Sequence, residues 1–229
     1  MIRLEIWSGD ARGLSRLLTV GKLRGEKRAV AAVAQAGRAA GIIESHNLPN
    51  IVDAVGLLAG SAAWSQTHQG QLQSWFAAFL SWLLESAEGR AEAQAENNHG
   101  SWYDVQVASF GLFTDRRDFA HRVLSEIPSK RIARQIKPDG SQPLELARTQ
   151  PWGYSLFNLQ ALFDAAALGD HLAIDLWNFE TPDRRSIRKA LDWLIPFATG
   201  EKRWPLRQQS RWQPERLGGI DDVERLGDL

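Results

Sequence analysis

The segment QLQSWFAAFLSWLLESA, residues 71–87, places Leu72, Trp75, Phe76, Phe79, Leu80 and Leu83 at intervals of three and four. Successive helical side chains turn by about 100°, so this spacing gathers them on one buried face of an α-helix. The rhythm returns in LPNIVDAVGLLAGSAAW, where Leu48, Ile51, Val52, Val55, Leu58 and Ala59 share a face. A third helix is predicted over 101–113, with Trp102, Val105, Ser109 and Leu112 on one side. Further helices are predicted over 117–125, 129–136, 155–169 and 186–198. No stretch alternates apolar and polar residues over a useful strand length. The pattern therefore predicts an all-α fold of helices paired as antiparallel hairpins.

Several function classes fall away on charge and composition. The 27 basic and 27 acidic residues cancel, leaving no general basic field to favour nucleic acid or an anionic membrane as partner. There is no cysteine, which removes disulfides, thiolate metal sites and cysteine nucleophiles together. His46, His68, His121 and His171 lack metal-ligand spacing, so no metal site is expected. No apolar run approaches the roughly 20 residues that span a bilayer. The opening MIRLEIWSGDARGLSRLL carries charges throughout and shows no signal-peptide core. Ten Trp against two Tyr is the one odd ratio. It suits a large aromatic core, or a groove where sugar rings stack through their C–H faces, and core is the stronger reading.

Two polar stretches interrupt the helical pattern. EAQAENNHG reads as a loop carrying Asn97, Asn98 and His99. KPDGSQPLELARTQPWGY, residues 137–154, is rich in turn residues and reads as too polar for core. It carries Gln142, Glu145, Arg148 and, six residues later, Tyr154. Loops on a helical scaffold are where binding groups are placed. This set lacks the carboxylate pair of sugar hydrolysis and any nucleophile elbow. Glu92 with Glu96 is no substitute, since both stand in one short segment.

The set suits β-elimination next to a carboxylate. Removing the C5 proton of a uronate adds charge to an already negative centre, and donors aimed at the C6 carboxylate let it accept that charge. Asn98, His99 and Arg148 supply such donors. A base then takes the proton and an acid protonates the departing O4. Tyr154 can do both in turn, provided that cations beside it favour its ionised form.

NNHGSWYDVQ, taken with PDGSQPLELARTQPWGYSLFNLQ, resembles the alginate lyase superfamily of helical-toroid polysaccharide lyases, on its glucuronan and alginate lyase branch. The likeness covers about residues 41–212. It implies an (α/α) toroid and a non-hydrolytic eliminase, with no nucleotide or redox cofactor and no obligatory metal. It also implies an acidic polysaccharide substrate such as alginate, polymannuronate or glucuronan, and a periplasmic or secreted setting. By position, the resemblance gives Asn98 the neutralisation of the substrate carboxylate and His99 a share in proton abstraction or neutralisation. Arg148 would bind the carboxylate and favour the phenolate, with Tyr154 as base and acid. In mannuronate and glucuronate the C5 hydrogen and O4 leave from the same face, so one tyrosine serves both steps.

The other candidates are weaker. Asn97, Trp102, Gln142, Glu145 and Trp152 are candidates for binding substrate. For Gln142 and Glu145 holding the loop is the stronger reading, and for both tryptophans core packing is an equal one. A pairing of Arg148 with Glu145 or Glu92 is the structural alternative for the arginine.

That family has a substantial N-terminal half ahead of the GRAAGIIES region, and RLLTVGKLRGEKRAVAAVAQAG does not resemble it. Residues 1–40 instead carry eight Lys and Arg against three acids, with helix propensity only over 29–36. The expected organisation is a divergent, loosely ordered segment over 1–40 and an alginate-lyase-like helical domain over 41–229, a partial toroid. The competing expectation is a truncated, inactive remnant that at most binds acidic polysaccharide.

Overall fold

The computed structural model describes residues 38–207. The divergent segment expected over 1–40, with helix propensity over 29–36, lies outside the described residues except at 38–40. Within them the chain is helical and contains no strand. A 3₁₀ turn at Ala39–Ser45 leads into α1 (Leu48–Leu58), α2 (Gln66–Glu85), α3 (Ala87–Ala93), α4 (Asn98–Phe113) and α5 (Arg117–Ile127). A single π-turn at Pro128–Ile132 then precedes α6 (Ala133–Gln135), α7 (Pro143–Leu146), α8 (Pro151–Asp170) and α9 (Ile187–Ala198). No helix among the described residues is long and apolar enough to cross a membrane.

Among the described residues the chain divides into two compact units, 38–95 with Trp102–Leu124, and Glu96–Ser101 with 125–207. The first is built on the face predicted for α2. Phe76, Phe79, Leu80 and Leu83 are buried with Ile42, Tyr103, Val107 and Phe110, and Leu72 and Trp75 pack against them. Each such side chain contributes roughly 2 kcal/mol by leaving water. Ser65 caps α2 by accepting from the His68 amide, and Ser86 caps α3 by accepting from the Gly89 amide. A Cβ on Gly89 would meet the Leu83 carbonyl oxygen at 1.9 Å, so only glycine permits this tight corner.

Two helices depart from their predicted faces. On α1, Val55 is buried, but Ile51 and Leu58, both predicted inward, are each 42% exposed. From Trp102 to Phe110 α4 is buried on every side, so it has no single apolar face to detect.

In the second unit α8 is the most buried element, with Leu159, Ala161, Leu162, Ala165 and Ala166 almost wholly covered. It starts at Pro151, four residues before the predicted start, because proline is well suited to the first turn. On α9, Ile187, Ala190 and Leu194 form the buried stripe. The turn at 137–141 is closed by Lys137 N–H donating to the Ser141 carbonyl and Gly140 N–H to the Lys137 carbonyl. Gly140 has φ +95°, and a Cβ there would lie 2.1 Å from the Lys189 carbonyl oxygen of α9.

Candidate active site

The stretch NNHG is not the loop expected from its polarity. Helix α4 begins at Asn98, so Asn98, His99 and Gly100 form its first turn. Asn97 caps it, its Oδ1 accepting from the His99 amide at 3.2 Å. The Asn98 amide also finds an acceptor, which comes from far along the chain. Glu145 Oε1 accepts from Asn98 N at 2.7 Å, and Glu145 Oε2 accepts from Asn98 Nδ2 at 2.6 Å. A carboxylate at a helix N-terminus is favoured by the exposed N–H groups and by the helix dipole.

Below this turn lies a buried network of side-chain amides. Gln135 Oε1 accepts from Ser101 Oγ and from Asn158 Nδ2, each at 3.0 Å. Asn158 Nδ2 also donates to Gln142 Oε1 at 2.8 Å, and Gln142 Nε2 donates to the Ser155 carbonyl at 3.1 Å. Gln135 Nε2 reaches back to the Asn97 carbonyl. The network ties the first turn of α4 to α6, α7 and α8. Gln135 and Asn158 were not singled out from sequence. For Asn158 the signal was an amide inside the apolar run LFNLQALF, although Gln160 in the same run is exposed, and no such signal marks Gln135.

The second polar stretch is not excluded from the interior either. Gln142 and Glu145 are 2% and 1% exposed, being satisfied by these partners. Pro143 opens the short helix α7, and the Arg148 amide donates to the Glu145 carbonyl at 3.1 Å. Arg148 and Tyr154 are only half-buried. The Arg148 Cζ lies 4.1 Å from the Tyr154 ring centroid, over the ring, a cation–π contact. Burial pushes the Glu145 carboxyl up from its ordinary value, while the Asn98 hydrogen bonds and the Arg148 and His99 charges pull it back. Glu145 is thus linked to Arg148 and His99 as well as to Asn98.

The candidates sort by exposure. Asn97, His99, Arg148 and Tyr154 are half-buried and can meet a solute. Asn98, expected to donate to the substrate carboxylate, is fully buried and its Nδ2 donates to Glu145. Gln142 and Glu145 are buried, with their side chains hydrogen-bonded to Asn158 and Ser155 and to Asn98 respectively. Trp152 is 5% exposed and stands edge-on to Trp204 at 5.1 Å. Trp102 belongs to the first unit, where it is 4% exposed and edge-on to His46 at 5.0 Å. Of the two tyrosines, Tyr103 is spent on the core, its hydroxyl donating to the Leu83 carbonyl at 2.9 Å. Among the described residues no group of three or more His, Cys, Asp or Glu side chains is arranged to hold a metal ion.

Comparison with known proteins agrees with the motifs. The family model described as alginate lyase matches residues 23–204. The crystal structure of an alginate lyase from Bacteroides ovatus is similar at a TM-score of 0.73 and 38% identity. The match covers 77% of this chain and 47% of that one, so the chain spans about half the length of this solved relative. No curated protein matches. With its helical fold and both polar motifs inside the matched region, the chain belongs to the alginate lyase family.

Proposed function

We propose that the chain is a polysaccharide lyase that cleaves uronate-containing polymer by β-elimination. The observation that carries this reading is the pairing of Arg148 with Tyr154, set one helical turn beyond the Glu145 that grips the Asn98–His99 turn. Arg148 presents a planar fork suited to a C6 carboxylate, and His99 stands as a second donor to it. With the carboxylate neutralised, Tyr154 as phenolate takes the C5 proton. The C4–O4 bond breaks, a C4–C5 double bond forms, and the phenol returns its proton to the departing O4. Asn98 serves this site from beneath, through its bonds to Glu145. Mannuronate or glucuronate polymers fit a single tyrosine acting on one face of the ring. A periplasmic or extracellular setting follows from such a substrate.

The test is to incubate the folded protein with alginate, polymannuronate and glucuronan and to follow ultraviolet absorbance of the unsaturated uronate. Product is expected on at least one polymer, and Tyr154→Phe should abolish it while the circular dichroism spectrum is retained. Absence of absorbance on all of them overturns the reading. Binding by calorimetry without product would mark a polysaccharide-binding remnant, and saturated products would mark a hydrolase.

A further inference from the structure

Glu145 joins the two halves of the proposed site. Its side chain holds Asn98 by the backbone amide and by Nδ2, at 2.7 and 2.6 Å, and its own carbonyl accepts from the Arg148 amide at 3.1 Å. At 1% exposure it cannot touch a polymer, whereas His99 and Arg148, the residues on either side of this clamp, are half-buried and can. A carboxylate removed from water is costly unless its lone pairs are engaged in a fixed geometry. One lodged under the first turn of a helix is therefore informative about that turn. It fixes an N–H that has no partner inside the helix, and with it the direction in which the next side chain leaves the backbone. Among the described residues Asn98 Oδ1 has no hydrogen-bond partner, while its Nδ2 is held by Glu145.

We propose that Glu145 is a positioning residue of the eliminase site. It locks the first turn of α4 so that His99 meets the same uronate carboxylate as Arg148, and it does not itself contact substrate. This rests on the lyase reading above. The burial that pushes the Glu145 carboxyl up, and the Asn98 hydrogen bonds that oppose it, fit a group placed for geometry.

The experiment uses the full chain and the variants Glu145→Ala and Glu145→Gln, with two readouts. The first is steady-state kinetics on the polymer that gives product. Glu145→Ala should lower kcat by about 10- to 100-fold, the scale seen when a partner that orients a functional side chain is lost. KM should stay within about twofold, since no substrate contact is removed. Glu145→Gln should recover most of the loss. Its Oε1 can accept from the Asn98 amide, and its Nε2 can donate to Asn98 Oδ1 once that side chain turns over. The second readout is hydrogen exchange, in which the Asn98 amide should exchange at least about tenfold faster in Glu145→Ala and remain slow in Glu145→Gln.

Unchanged exchange at Asn98 in Glu145→Ala overturns the clamp. A rise in KM at constant kcat overturns the positioning role in favour of substrate contact. Should Glu145→Ala fail to fold, Glu145→Gln decides alone: slow exchange with kcat within about fivefold supports positioning. Slow exchange with a loss above about a hundredfold means that the carboxylate acts chemically, and overturns it. A wild-type chain that makes no unsaturated product overturns the lyase reading, while exchange at Asn98 still decides the clamp.

Discussion

Tyr103 and Tyr154 differ in what their rings are given to touch. Tyr103 is 5% exposed, donates to the Leu83 carbonyl, and has its hydroxyl pushed up to about 12, first by burial and then by the Asp104 charge. Its folded value lies above the ordinary 10.0, so the protonated phenol stabilises the fold. That contribution is complete below pH 10 and is lost as pH rises toward about 12. Tyr103→Phe should therefore cost about 1 kcal/mol at neutral pH, the usual worth of such a hydrogen bond. The gap between wild type and variant should close as denaturant titrations move above pH 10. Turnover by the folded variant should match wild type, in contrast to Tyr154→Phe. A variant that also loses turnover would mean that the site depends on the tyrosine in the core.

At the scale of elements, local pattern and distant partners divide what the sequence could reveal. The buried face of α2 was legible because Phe76, Phe79, Leu80 and Leu83 recur at helical spacing within one segment. The start of α4 was not, because NNHG has poor helix propensity and becomes a first turn only through the Asn97 cap and Glu145, which is 47 positions away from Asn98. The face of α4 was hidden for another reason, since a helix covered all round, with Asp104, Gln106 and Ser109 among its buried residues, has no periodic stripe. The exposure of Ile51 and Leu58 on α1 shows that a regular stripe need not be covered along its whole length. In the candidate site, residue types and order were legible from the two motifs. Which residues are covered was not, since burial of Asn98, Gln142 and Glu145 depends on the amide network. The turn at 137–141 offers a direct test at this scale. Gly140→Ala adds a Cβ at φ +95° and 2.1 Å from the Lys189 carbonyl oxygen, so it should cost more than about 2 kcal/mol in chemical denaturation. A variant as stable as the parent would mean that the turn stands away from α9.

For the whole molecule, charge decides how an anionic polymer would be held. The chain is formally neutral, with 27 charges of each sign, so its net charge supplies no attraction for a polyanion. At short range the candidate site offers the Arg148 guanidinium and the His99 ring as donors, both half-buried. Short contacts to a desolvated carboxylate are screened far less than a broad basic surface. Raising salt from about 0.1 M to about 1 M shortens the screening length from about 10 Å to about 3 Å. Over that range KM on the preferred uronate polymer should rise by less than about tenfold and kcat should hold steady, because the ions of the site act inside the complex. A broad basic groove would instead release many counterions and lose affinity by about a thousandfold or more. A KM that climbs that steeply would move the seat of polymer binding from Arg148 and His99 to a surface of many cations.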